Sequence, residues 1–293
     1  MQRVHQPVML KEVLEALRLK PGMKVLDCTI GGGGHAKEIL EKIHPNGSVV
    51  GIDRDREVLD IARSYLRGLS ITLVHRNFTE IDRVLEEVGW NHIDAALFDL
   101  GVSSYQLETP HRGFSFQQEG DLDMRMDSTD PISAFDLVNH LSEVELADIL
   151  SRLGQERYAR RIAHAIIEER RRNPIATTKQ LAELVNDTIP RRFRMRIHPA
   201  TRTFQAFRIQ VNRELESLEA AIPKVTQFLV SGGRLCMISF HSLEDRIVKL
   251  AFRKLALENQ WKIATKKPMS PSTLEIEKNP RARSAKMRVG EKI

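Results

Sequence analysis

Along the first hundred residues, short apolar runs alternate with segments whose apolar positions recur every three to four residues. The runs MKVLDCT (23–29), SVVGID (48–53), ITLVHRN (71–77) and IDAALFDL (93–100) predict strands, and AKEILEKI, REVLDIARSYL and FTEIDRVLEEVG between them predict helices. Strands this uniformly apolar are buried on both faces. With short links, the alternation predicts a Rossmann-like α/β fold with a parallel sheet under two helical layers. A fifth run, GRLCMISF (233–240), precedes the helical pattern LEDRIVKLAFRKLAL; WKIATKK (261–267) and AKMRVGEKI (285–293) predict a closing antiparallel pair, about seven strands in all.

The periodicity breaks between the fourth and fifth runs, where roughly 130 residues intervene. A crossover needs about a dozen residues, and structureless loops of such length are rare. The insert is helical in pattern. YARRIAHAIIEERRRNP sets Ile162 and Ile166 on one face and stops at Asn173-Pro174, and Thr177 to Gln180 has capping-box spacing. This predicts a main domain of residues 1–112 plus 215–293, with an inserted helical domain at 113–214. NRELESLEAAIPKVTQFLV returns as the crossover helix.

Composition adds limits. Apolar content of 41% and charged content of 29% suit a soluble globular chain, and a formal charge of +6 suits a polyanionic partner. Cys28 and Cys236 lie inside apolar runs, and no Cys/His cluster offers zinc ligands, so no metal is expected. No segment reaches eighteen apolar residues and the first residues lack an apolar leader core, which makes the cytoplasm the expected location, without a membrane. Asp121, Asp123 and Asp127 in DLDMRMD hint at a calcium loop, but Arg125 and Met126 stand where that loop needs an oxygen ligand and a glycine.

The chemistry starts at Gly31–Gly34, four glycines after the first strand. A phosphate-binding P-loop needs a Lys-Ser/Thr pair after the turn, and His35-Ala36 follows instead. Gly31, Gly33 and Ala36 fit the dinucleotide spacing, and Asp53 ends the second strand about 20 residues on, placed to accept hydrogen bonds from ribose hydroxyls. NAD and S-adenosylmethionine both carry such a ribose. Asp27 favours the second, whose amino acid end bears an ammonium and which has no phosphate. D-x-T-x-G-x-G resembles the first motif of methyltransferases acting on exocyclic amines. HRNF ends strand three, so Phe78 could stack on adenine or simply fill the core. Asp99 ends strand four at the sheet edge where such folds bind ligands.

With these pieces the chain resembles the bacterial MraW/RsmH family, small-subunit ribosomal RNA methyltransferases that modify a cytosine on its 4-amino group. The resemblance rests on HxPVML (His5, Pro7–Leu10), IGGGGHA (Ile30–Ala36), GIDRD (Gly51–Asp55), LFDLGVSSYQL (Leu97–Leu107), RGFSF (Arg112–Phe116), DLDMRMD (Asp121–Asp127), HPATRTFQAFRI (His198–Ile209), SFHSLEDRIVK (Ser239–Lys249) and NPRARSAKMR (Asn279–Arg288). It implies a class I methyltransferase fold and S-adenosylmethionine contacts at Gly33, Gly34, His35, Asp53, Phe78, Asp99 and Gln106. It also implies a helical insert that helps seat ribosomal RNA within the small subunit. One departure stands out: generic amino methyltransferases carry [DN]PP[YF] after strand four, and here Asp99-Leu100-Gly101-Val102 lacks the prolines and the aromatic ring. Tyr105 and Phe114 are candidates for the missing base-stacking role.

The amine of cytosine is a poor nucleophile because its lone pair delocalises into the ring, so an enzyme must hold it in line and accept its proton. Asp99 is the predicted catalytic residue, with His241 and Glu244 after strand five as alternatives. RRFRMRIHPATRTFQAFRIQVNR (191–213) carries seven arginines and no acid among its phenylalanines, and the segment 259–293 is also basic, a pattern suited to phosphates and stacked bases. Rival readings are a ribosome-assembly RNA-binding protein with a non-catalytic cofactor site, a methyltransferase for another nucleic-acid amine, and an NAD oxidoreductase.

Overall fold

The computed structural model describes residues 7–190 and 198–293. The chain divides into two compact units, one ending at Gly101 and resuming from Leu215 to Ile293, the other Val102–Glu214. In chain order the elements of the first stretch are α1 (Leu10–Leu17), β1 (Lys24–Asp27), α2 (Gly34–Ile43), β2 (Ser48–Asp53), α3 (Arg56–Tyr65), β3 (Ile71–His75), α4 (Ile81–Glu87) and β4 (Ile93–Asp99). The intervening unit holds α5 (Ser104–Glu108), α6 (Ala134–His140), α7 (Glu143–Arg152), α8 (Ala159–Arg170), α9 (Thr178–Thr188) and α10 (Ala200–Asn212). Then come α11 (Glu214–Phe228), β5 (Leu229–Ser239), α12 (Ser242–Leu257), β6 (Trp261–Ile263), α13 (Thr273–Lys278) and β7 (Lys286–Lys292).

The sheet unit is built on seven strands in the order β3-β2-β1-β4-β5-β7-β6. The first five are parallel, and β7 runs antiparallel to both its neighbours. Successive residues of a strand face opposite layers, and the two cores show it. Val25, Ala95 and Leu97 join α1, α2 and α3 residues such as Val13, Ile39 and Leu59. Leu26, Ala96 and Phe98 join α4, α11 and α12 residues such as Val84, Ile222 and Phe252. The chain moves outward from β1 to β2 and β3, then returns to β4 on the other side of β1. The C-terminal ends of β1 and β4 therefore flank the point where the winding reverses, the usual ligand crevice of such sheets.

Two glycines at that edge are dictated by space. Gly33, the residue before α2, has φ +88°, and a Cβ there would lie 2.6 Å from Leu66 Cδ1. At Gly51 in β2 a Cβ would lie 2.8 Å from Ile30 Cδ1. Gly33→Ala combines left-handed strain with a clash, and we expect it to lower stability by about 1–3 kcal/mol, read as a lower Tm of the free protein.

The second unit is helical, with α7 packed on α8 and α10, and α9 on α8 and α10. Ile162 and Ile166 are fully buried, and Thr177 with Gln180 forms a reciprocal capping box on α9. Asn212 fastens the loop of the Asp-rich motif: its Oδ1 accepts from Met126 N at 2.8 Å, and its Nδ2 donates to the Met124 and Arg208 carbonyls at 2.7 and 2.8 Å. Asp123 forms a two-pronged ion pair with Arg125. The first unit ends eleven residues before the sequence-based boundary at 112, and Arg112 supplies a physical reason. Its guanidinium donates to the Arg125 and Met126 carbonyls, which ties the preceding segment to the helical unit.

Candidate functional site

The parallel registers bring three acids to one edge of the sheet unit. Asp27 and Asp53 end β1 and β2, and Asp99 ends β4, which pairs with β1. Asp53 braces the glycine turn: its Oδ2 accepts from Gly31 N at 3.0 Å and its Oδ1 from Asp55 N at 2.9 Å. Asp55 in turn caps α3. Asp27 is 1% exposed and accepts from Thr29 N at 3.2 Å. Thr29 Oγ1 takes a 2.6 Å hydrogen bond from Asp99 N, so the D-x-T triplet fixes both acids.

These carboxyls are costly to ionise. Burial, with the Asp53 charge adding to it, pushes Asp27 up to about 7. Burial likewise holds Asp53 at about 6, partly offset by its backbone donors and Arg54. Asp99 is raised well above the carboxylate range by burial and by the charges of Asp27 and Glu244. Its Oδ1 is fully enclosed and accepts no hydrogen bond among the described residues. Buried like charges of this kind are relieved by a cation. A sulfonium nucleoside with an ammonium group fits this donor set, and a pyrophosphate does not.

His35, the second residue of α2, lies beside Asp99. Its Nε2 is 2.9 Å from the Val8 carbonyl, which can only accept, so Nε2 carries the hydrogen. In the neutral ring the Nδ1 lone pair then faces Asp99 Oδ2 at 3.7 Å. Phe78 follows the Asn77 cap after β3, and its half-buried ring meets Phe98 edge-on with centroids 5.5 Å apart.

Other sequence candidates have local structural tasks. His241 is the N-cap of α12, accepting from Glu244 N, while the buried Glu244 carboxylate accepts from Phe240 N at 2.8 Å and His241 N at 3.3 Å. This reciprocal capping box gives both residues a structural task. Gln106 belongs to the helical unit, where its side chain and that of Ser103 form the capping box of α5. Phe114 is buried with the Arg112 guanidinium 5.9 Å above its ring. In the arginine-rich segment, residues 191–197 lie outside the described residues, as does His5; Phe204 and Phe207 are core residues of α10. Cys28 and Cys236 are buried, and burial pushes both thiols up. Sequence reasoning gave no role to Thr29 or Val8: Thr29 meets Asp99 because β1 lies beside β4, and Val8 meets His35 because the segment before α1 folds back to the start of α2.

A seven-stranded sheet with a penultimate antiparallel strand, a glycine turn after β1 and an acid ending β2 defines the class: an S-adenosylmethionine-dependent methyltransferase. A solved structure of a candidate rRNA methylase from Clostridium thermocellum shares this fold, with a TM-score of 0.50 at 12% identity, covering 99% of this chain and 100% of that one. The chain belongs to the MraW methylase family, matched over residues 2–293. Ribosomal RNA small subunit methyltransferase H of Halothermothrix orenii is 47% identical over 306 residues, covering 99% of this chain and 98% of the relative. The protein of the same name from Caldicellulosiruptor saccharolyticus is 47% identical over 305 residues, covering 99% of each. Among the described residues no helix is long and apolar enough to cross a membrane.

Proposed function

We propose that the protein transfers a methyl group from S-adenosylmethionine to the 4-amino group of a cytosine in small-subunit ribosomal RNA. Family membership carries the substrate, and Asp99 carries the chemistry: a buried carboxyl with an unpartnered oxygen, at the winding reversal of the sheet.

In this reading Asp53 accepts from the ribose hydroxyls of the donor, Asp27 faces its ammonium, and the backbone of Gly33, Gly34 and His35 lines it, with Phe78 against the adenine. S-adenosylmethionine supplies an electrophilic methyl on a positively charged sulfur. Positive charge at this edge favours the ionised form of Asp27 and Asp99 over the protonated form that burial imposes. The Asp99 carboxylate, whose side chain is 19% exposed, would accept a hydrogen bond from the cytosine amine and take its proton as the amine forms the N–C bond and the S–C bond breaks, releasing the neutral thioether S-adenosylhomocysteine. The Val8 carbonyl accepts from His35 Nε2 and so turns Nδ1 toward Asp99 Oδ2.

The test is methyl incorporation into small subunits from cells lacking the protein. Wild type is expected to add one methyl, mapped by mass spectrometry to N4 of a cytosine. Subunit binding without incorporation would reduce the protein to an RNA-binding role, and a methyl on another base would move the substrate.

A further inference from the structure

Several exposed arginines pair within a helical turn, Arg63 with Asp60, Arg83 with Glu80, Arg152 with Asp148 and Arg171 with Glu168, while others, such as Arg160 and Arg161 on α8, do not among the described residues. Helix α12 gathers four cations along its length. Its two acids are both committed at its first turn, Glu244 to the capping box and Asp245 to Arg288 at 2.7 Å and Lys286 at 3.9 Å. Arg246, Lys249, Arg253 and Lys254 follow, and none forms an ion pair among the described residues. Their spacing puts like charges three and four residues apart, which weakens a helix. The outward face also carries two bare leucines, Leu250 at 51% and Leu257 at 85% exposure, beside Arg246, Arg253 and Lys254. The opposite face is a normal core face, with Val248 and Phe252 in the apolar layer that also holds Trp261 of β6. Lys262 on β6, which packs against α12, and Lys266 and Lys267 just beyond it are exposed as well. Residues 242–293 hold thirteen Lys and Arg against six acids, an excess larger than the +6 of the whole chain.

We infer that the outward face of α12 (Arg246, Leu250, Arg253, Lys254 and Leu257) is a docking surface for the ribosomal RNA on the sheet unit itself. An anion is needed to offset the repulsion along the helix, and polyphosphate backbone supplies regularly spaced ones. Two isolated leucines between cations suit a ribose or a base face; they make no continuous apolar patch of the kind a protein partner or a lipid surface would bury. The inference rests on the RNA reading above and extends it. Sequence patterning pointed to RNA contacts in segment 191–213 of the helical insert and in the basic segment 259–293; α12 adds a contact just before the latter, on the unit that carries the cofactor site.

The test compares Arg246→Glu/Arg253→Glu/Lys254→Glu with a control of equal charge change, Lys11→Glu/Lys20→Glu/Lys42→Glu, in the full-length protein. Unmodified small subunits and a fluorescein-labelled single-stranded RNA serve as probes. The α12 variant is expected to raise KM for subunits about tenfold with kcat unchanged, and to flatten the plot of log binding constant against log salt by about 2 relative to the control. Its affinity for S-adenosylmethionine, measured by calorimetry, stays at the wild-type value and reports an intact fold. Leu250→Ser/Leu257→Ser is expected to weaken RNA binding about threefold. If the α12 and control variants share one KM and one salt slope, the inference falls. If the leucine variant changes sedimentation while RNA binding is untouched, the face belongs to a second copy of the chain and the inference also falls. A wild-type protein that binds RNA but transfers no methyl would overturn the catalytic reading, while the salt slopes would still decide the role of α12.

Discussion

Asp99→Asn is expected to lower kcat for methyl transfer by about 10²–10⁴, the usual contribution of a positioned proton acceptor, and to make the free protein more stable at pH 8. The two effects have one origin. The wild-type carboxyl is buried beside Asp27 and Glu244, so the folded protein holds a proton on Asp99 at pH values where the unfolded chain has released it. Wherever the native state binds more protons than the unfolded one, stability falls as pH rises. That loss begins above the unfolded value near 3.8 and continues as the pH climbs through the raised folded value. Asparagine has nothing to ionise and escapes it. The Tm difference between variant and wild type should therefore be small near pH 4 and grow toward pH 8. Steady-state kinetics on small subunits and thermal scans across pH test both halves. A variant that keeps kcat within fivefold would remove Asp99 from the proton-accepting role, and a variant less stable than wild type at pH 8 would contradict the repulsion argument.

Binding of S-adenosylmethionine is expected to tighten by about a hundredfold between pH 5 and pH 8 and to rise less steeply above, because each raised carboxyl contributes up to tenfold per pH unit until it ionises. The window follows from Asp53 at about 6 and Asp27 at about 7. The sign follows from charge: a cationic ligand prefers the carboxylates, so the complex lowers their proton affinity and binding releases protons. Calorimetry at pH 6.5 in buffers of different ionisation enthalpy should show that release, and at pH 8.5 it should shrink. S-adenosylhomocysteine keeps the ammonium but has a neutral sulfur, so its pH dependence should be shallower. Equal affinity for the cationic donor at pH 5 and pH 8 would mean that these acids do not face it. Glu244 and Asp99 repel within the same cluster, while Arg54 offsets part of the cost at Asp53.

The sheet was legible because buried strands are continuous apolar runs bounded by turns. SVVGID matches β2 residue for residue, and IDAALFDL overruns β4 by only Leu100. Spacing also carried the glycine turn and Asp53, since both lie within one strand–turn–helix–strand unit. Strand order was not legible: the closing pair exists, but β7 pairs with β5 as well as β6, and no period in the sequence encodes which strands become neighbours. The repulsion of Asp99 by Asp27 and Glu244 stayed hidden for the same reason, because it depends on β4 lying between β1 and β5. His241 and Glu244 were read as candidates for proton removal or substrate orientation because they follow strand five on the same sheet edge, and a histidine in place of the usual Ser or Thr masks their capping pattern. The three-residue spacing to the glutamate was nonetheless in view.

The place of β7 has a consequence for how the protein is made. It is the last of the seven strands in chain order yet sits inside the sheet, with β5 on one side and β6 on the other. While the ribosome is still short of Lys286, one long edge of β5 has no neighbour, along a strand whose residues from Gly233 to Ser239 are all buried in the finished protein. An open apolar edge of that length is a template for intermolecular pairing. The nascent chain thus passes through an aggregation-prone interval that closes only when Lys286–Lys292 emerges and docks.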